Sequence, residues 1–507
     1  MPEHPEESAP PVLLRGGRLT LGGPPSDVLV ADGHVAAVAP AGDLAVPPGT
    51  EVVGLGDATV LPGLVDGHVH VEQWVHHGRS VDLLATRGPA EAAAVLRTHL
   101  DGAPLRAGLV LSGRDVVPAL WDEEPHKRHL DDALGDVPVV VRSIDLHTTW
   151  FSSAALALLG LTDHPTGVLR ETESIEANAR LGELTPTAEL DGWVADACAA
   201  LPALGVTALI DLEFGDNLTA WRRRAGTSGP PPVRVHAGIW TPWLDAAIAE
   251  GRRTGAVLEG TGGRVQVGPY KIVSDGSLNT RTAWCVDPYP GLPDGPGSHG
   301  LALVSGDQLV ELMARAWAAG LHPAVHAIGD RANSEVLDAF EQVGCTGRIE
   351  HAQLVRTEDL PRFAGLGVVA SVQPQHAVID RDVADRHWAG RTDRAFAYRS
   401  LHDAGARVEL GSDAPVSPLD PWQAIADAVH RTDDGRPAWH PEQALPLDVA
   451  VAAACGARAE VTVGSVADLT VVAGDLSAAS ESELRHPDVL ATLVGGSFTH
   501  RAAAVQA

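Results

Sequence analysis

A (β/α)8 TIM barrel within the α/β class is the fold this sequence predicts, and three observations carry the prediction. Eight short apolar runs recur through the middle of the chain, many separated by Ala- and Leu-rich helical stretches. Histidine, lysine or aspartate stands at the end of several of these runs. The two ends of the chain read differently, as short alternating segments broken by glycine. The expected organisation is a composite β-sandwich domain from residues 1–60 plus 456–507 and a barrel over 61–455. An inserted subdomain over 75–204 is expected between the first and second barrel strands.

Taken in order, the N-terminal segments are "VLLRGGRLTL", "SDVLVADGHVAAVAP" and "EVVGLGDATVLPG". They alternate apolar and polar positions between Gly and Asp-Gly turns, as strands do. The barrel runs follow: "GLVDGHVHV" (63–71), "GVTALIDLE" (205–213), "VRVHAGIW" (233–240), "VQVGPYKIV" (265–273), "LHPAVHAIG" (321–329), "GRIEHAQLV" (347–355), "GVVASVQPQ" (367–375) and "ARVELGSDA" (406–414). Continuous apolar runs of this length suit parallel strands covered on both faces, and helices between them suit a barrel. The long interval before the second run has helical patterns of its own, hence the inserted subdomain. "GSVADLTVVAGD" and "VLATLVGGSFTHR" then return to β character. Two Rossmann-like domains are set aside, because "LRGGRLTLGG" lacks the GxGxxG spacing and a following helix.

Composition narrows the function classes. The 507 residues carry a formal net charge of −29, which repels nucleic acid and anionic lipid. Four cysteines without a CxxC pair suit a reducing, cytoplasmic setting. The acidic, Pro-rich start "MPEHPEESAP" is unlike a signal peptide, and no apolar run approaches the ~20 residues of a membrane span. The expected partner is a small molecule, with neither nucleic acid nor membrane, and a homodimer is left open.

The chemistry sits at the ends of the runs, which in a barrel form the active-site face. His68 and His70 are two apart on one strand, so both imidazoles reach one side. Lys271 ends the fourth run, His326 the fifth, His351 the sixth and Asp413 the eighth. Neutral imidazoles and a carboxylate are the ligands of zinc or a similar divalent ion. Lysine occurs at 127 and 271 and nowhere else, arginine serving as the cation throughout.

The motifs "LPGLVDGHVH", "VHAIGDRAN", "IEHAQL", "LGSDAPVSPLDPW" and "GSVADLTVV" resemble the amidohydrolase superfamily. "YKIVSDGSLNTRTA" and "WFSSAALALLG" are similar to its YtcJ-like branch, which includes N-substituted formamide deformylases. The resemblance implies a metal-dependent hydrolase with a barrel and a composite β-sandwich. His68, His70 and Asp413 would hold one metal, His326 and His351 the other, with a pair of zinc ions expected. Lys271 matches a carboxylated lysine bridging the two. The chemistry agrees, since a desolvated amine adds carbon dioxide to become an anionic carbamate, whereas arginine stays protonated; an ordinary buried lysine paired with Asp275 or Asp413 is the alternative. Asp413 would be the catalytic base, then acid.

Substrate contacts are expected from His147, Asp275, Arg281 and Gln373, with His376 beside them. Arg281 would hold a substrate carboxylate or a structural ion pair. His147 stands in "DLH" where relatives usually read Asp-Gly-His, and "SLNT" replaces their "SLGS". Trp74, Trp121 and Trp284 are candidate pocket walls, with core packing as the alternative. The expected activity is hydrolysis of a linear C–N bond, an amide or formamide. The alternatives are a cyclic amidase, a deaminase, an esterase or carbonate hydrolase, or a non-catalytic small-molecule binder.

Overall fold

A computed structural model describes residues 10–505, apart from positions 104, 107, 119, 120, 144–147, 171, 172, 175, 176, 178, 179, 181–184, 294 and 296. The eight apolar runs become eight strands: Leu64–Val69, Val206–Asp211, Arg234–Trp240, Val265–Val273, Pro323–Ala327, Gly347–His351, Val368–Val372 and Val408–Leu410. Each pairs in parallel with its neighbour in chain order. They are called the first to eighth strands below.

The two ends of this row meet. Asp413 donates its backbone N–H to His68 at 2.7 Å, and His70 donates to Ala414 at 2.9 Å. Glycine makes that seam possible. A Cβ on Gly411 would lie 2.7 Å from the His68 backbone nitrogen, and one on Gly67 would lie 2.7 Å from the Leu410 carbonyl oxygen. Both neighbours are backbone and cannot swing aside. Gly411→Ala should therefore destabilise the fold by about 1–3 kcal/mol, the usual cost of overpacking. A denaturant midpoint equal to wild type would show that the seam has slack.

Helices follow the amphipathic rule. Gly306–Ala318 starts from a Ser305–Gln308 capping box and buries Leu309, Met313 and Ala316, positions on one helical face.

Both ends of the chain join in one eight-stranded sheet. Val12–Arg18, Pro25–Ala31, His34–Pro40, Glu51–Gly54 and Thr59–Pro62 come from the start, and Leu469–Val472, Val489–Val494 and Ser497–Arg501 from the end. Thr59–Pro62 pairs antiparallel with Leu469–Val472, which fixes the two ends together. Leu14, Val28, Val35, Val53, Leu469 and Leu493 share one buried cluster. Arg234 of the third barrel strand forms a two-pronged ion pair with Asp468, at 2.7 and 3.1 Å.

By contact the chain divides into two units, one of residues 1–71 with 195–507 and one of Glu72–Val194. The second unit has its own five-stranded sheet, ordered Val168–Arg170, Thr148–Phe151, Val139–Ser143, Leu111–Val116, Val81–Asp82. Its core gathers Leu83, Leu96, Leu130, Val139 and Trp150, with Trp121 packed against it. Among the described residues no helix is long and apolar enough to cross a membrane.

Candidate metal centre

The first strand delivers His68 and His70 to one side, their ring centroids 5.3 Å apart. His68 Nδ1 lies 2.9 Å from Glu350 Oε2. The carboxylate can only accept, so His68 carries its proton on Nδ1 and presents the Nε2 lone pair. Burial pushes the His68 pKa down to about 4, and Lys271 adds to the effect, so the ring is neutral at working pH. A carboxylate behind an imidazole in this way orients it as a metal ligand.

Glu350 is itself held. Arg348 Nε donates to Glu350 Oε1 at 2.6 Å, and its other nitrogens reach Glu409 at 3.2 Å, the Gly67 carbonyl at 2.9 Å and Ser371 Oγ at 2.6 Å. Burial would raise the Glu350 pKa, but the charge of Arg348 and the hydrogen bond from His68 hold it well below the ordinary carboxylate range. These buried charges depend on one another. Arg348→Met should cost about 3–5 kcal/mol, because it leaves the buried Glu350 without its cation, whereas Glu409 keeps Arg407 at 2.7 Å. Chemical denaturation measures it, and a loss under about 1 kcal/mol would mean that Glu350 finds another partner.

His351 and Glu350 are consecutive, yet both reach His68: the His68 and His351 ring centroids are 5.0 Å apart. Regular strand alternation forbids this. His351 escapes it with φ +75°, and Asp413 likewise has φ +56°. Left-handed backbone at non-glycine residues is strained by about 1–3 kcal/mol each and clusters at functional sites. His326 joins from the fifth strand, its ring centroid 4.5 Å from that of His351. Burial takes the His326 pKa down to about 3, with Lys271 helping.

Asp413 closes the group. Its Oδ1 lies 3.4 Å from His68 Nε2 and 3.3 Å from His70 Nε2, and its Oδ2 lies 3.9 Å from His376 Nε2. Burial would raise its pKa, but the surrounding histidines outweigh burial and keep it well below the carboxylate norm. Burial lowers His70 too, yet the Asp413 hydrogen bond and charge prevail and raise it. Ligand atoms of His68, His351 and Asp413 fall within 4.8 Å of one another.

Lys271, on the fourth strand, is 2% exposed. Its amine has no hydrogen-bond partner, and neither do His68 Nε2, His70 Nδ1 and His351 Nδ1, all buried. Buried polar atoms left bare cost about 1–3 kcal/mol each. Those of His68 and His351, gathered with the Asp413 carboxylate, fit a divalent cation as their missing partner. Burial pushes the Lys271 pKa down to about 8, while Glu350 and Asp413 pull it back up.

The expected substrate residues scatter. Asp275 is fully buried and accepts backbone N–H bonds from Trp284 at 2.8 Å, Ile328 at 3.0 Å and Gly329 at 2.9 Å. Its nearest site group is His326, 3.5 Å away, so its position is that of a brace behind a ligand. Arg281 is exposed and lines a surface hollow with Asn279, Arg386 and His387. Gln373 is buried, its amide 3.4 Å from the Ser371 carbonyl, and its Oε1 has no partner. His147 lies outside the described residues. Trp121 stacks edge-on against Trp150 in its own unit's core, and Trp284 lies beneath Arg331.

Sequence reading missed Arg348, Glu350 and Asp66. Asp66 accepts from the backbone nitrogens of His68 at 3.1 Å and Ser412 at 3.0 Å, tying the two ligand-bearing segments together. The available signal was charge at alternate positions in the apolar run "GRIEH" and at the centre of "LVDGH".

Residues 51–500 match the model of the amidohydrolase family. The chain is 27% identical over 494 residues to YtcJ of Bacillus subtilis (strain 168), a protein named for that activity, covering 89% of this chain and 91% of that one. It is 27% identical over 530 residues to the N-substituted formamide deformylase of Arthrobacter pascens, covering 92% and 94%. An uncharacterized metal-dependent hydrolase from Pyrococcus horikoshii OT3 superposes with a TM-score of 0.80 at 26% identity, covering 93% of this chain and 99% of that one. With converging histidines on a nearly closed parallel barrel and a family match along most of its length, the chain belongs to the amidohydrolase family, in its YtcJ-like branch, and is a metal-dependent hydrolase acting on C–N bonds.

Proposed function

We propose that this protein hydrolyses a linear amide or formamide bond of a small molecule, with two zinc ions and a carbamate on Lys271. The observation that carries the reading is the set of partnerless buried nitrogens around Asp413, Lys271 Nζ among them. His68, His70, His326, His351 and Asp413 would hold the ions. The bound cations would polarise the carbonyl and bring water's pKa from 15.7 toward roughly 7.

Lys271 supports its assigned role by its environment. With a pKa pushed down to about 8, about a tenth of its amine is uncharged at pH 7. That nitrogen adds to the carbon of carbon dioxide and releases a proton to solvent, leaving an anionic two-oxygen group. Asp413 is ionised, so its Oδ2 accepts a proton from the attacking water and returns it to the leaving nitrogen as the C–N bond breaks. Asp66 and Asp275 take no proton in this scheme and act by holding the segments that bear the ligands. A small-molecule substrate and a cytoplasmic setting complete the reading, the four buried, unpaired cysteines suiting a reducing compartment.

The test is a hydrolysis screen over N-formyl, N-acetyl and longer N-acyl amines, cyclic amides and esters, with Asp413→Asn as the blank. Linear amides or formamides should be turned over by wild type alone. Turnover confined to esters or cyclic amides would overturn the linear-amide reading, and equal rates in the blank would mean the activity is not this site's. Metal content below one ion per chain, in protein purified without chelators, would sink the two-ion centre.

A further inference from the structure

Among the described residues, His376 is the one further imidazole that faces Asp413 and that the reading above leaves without a task. It follows the seventh strand in the short helix Pro374–Ile379, is 5% exposed, and stacks parallel to His351 at 6.1 Å. Its Nδ1 lies 3.4 Å from the amide nitrogen of Gln353. With the amide nitrogen donating there, and Gln353 Oε1 left without a partner, Nδ1 accepts and the ring proton stands on Nε2. Gln353 is buried and its backbone is pinned, with its carbonyl accepting from Phe396 N–H at 2.5 Å. Nε2 has no hydrogen-bond partner. It points toward Asp413 Oδ2 across 3.9 Å, too far for a direct hydrogen bond. A buried N–H donor without a partner therefore stands 3.9 Å from the carboxylate that moves the proton.

We propose that His376, held as its Nε2–H tautomer by Gln353, donates that hydrogen to the substrate carbonyl oxygen as it takes on negative charge during amide hydrolysis. The proposal rests on the amide reading above. A preorganised donor aimed where charge develops is worth more in the transition state than in the ground state. His376 is then a catalytic residue and Gln353 a positioning residue. No bond to His376 forms or breaks; it lends a hydrogen bond while Asp413 carries the proton.

The experiment uses the metal-loaded full chain and the amide that wild type turns over best. His376→Ala should lower kcat about a hundred- to a thousandfold, with KM little changed and metal content equal to wild type. His376→Gln, which keeps an N–H donor, should recover part of the loss. Gln353→Glu offers only acceptors and should move the ring proton to Nδ1, reproducing the kcat loss with His376 in place. Combining it with His376→Ala should add nothing further. Long-range 1H–15N spectra read the tautomer without turnover: the resonance missing in His376→Ala should report Nε2–H in wild type and Nδ1–H in Gln353→Glu.

A wild-type Nδ1–H tautomer, or full kcat in metal-replete His376→Ala, would overturn the proposal. Metal loss in His376→Ala and His376→Gln alike would also overturn it, by making His376 a structural support. A wild type that hydrolyses only esters would sink the amide reading instead, and the same kcat comparison on the ester would still decide the role of His376.

Discussion

Lys271→Arg is expected to empty the metal site and abolish turnover, although it exchanges one basic residue for another. Arginine remains protonated at any working pH and cannot form a carbamate, so a fixed cation would stand among His68, His351 and Asp413 and repel the ions. Metal analysis should find the ions lost while the overall fold persists, and hydrolysis should fall to the blank. Lys271→Ala removes the amine without adding charge. A short-chain carboxylic acid added to that variant should restore part of both metal content and rate, by supplying two carboxylate oxygens where the carbamate would stand. Wild-type activity in Lys271→Arg would leave Lys271 an ordinary buried cation and end the bridge idea.

Asp413→Asn should be nearly as severe in rate but milder in structure. Asparagine tolerates the left-handed backbone at φ +56° and keeps the N–H that closes the barrel on His68. It cannot accept the proton that Oδ2 takes, so kcat should drop about a hundred- to ten-thousandfold, the usual worth of such a group. Thermal melting should stay close to wild type. A variant within tenfold of wild type would reassign the proton to another group. The two substitutions separate the roles, since Lys271→Arg should move metal content and rate together, whereas Asp413→Asn should move rate the more.

Much of this was legible in the linear chain. Parallel strands covered on both faces read as unbroken apolar runs, and all eight runs became strands in the expected order. The HxH pair was legible because side chains alternate along a strand. Trp121 was not, because a tryptophan in an apolar setting reads the same in a core as in a pocket wall. Asp275 is a related case. A carboxylate in a loop after a barrel strand suggests substrate contact, but three backbone N–H groups from other segments occupy it.

The sequence by itself determined the strand order, the positions of His68, His70, Lys271, His326, His351 and Asp413 at the strand ends, and the net charge of −29. These properties are local, set by periodicity, side-chain chemistry and composition. Only the tertiary structure decided which nitrogen His68 and His376 present, which carboxylate is ionised, and that Arg348 and Gln353 stand behind His68 and His376. His68 and Glu350 are 282 positions apart, and no local pattern reports that distance closing to 2.9 Å. Protonation in a buried site depends on desolvation and on charges brought from other strands, and both exist only once the barrel has closed.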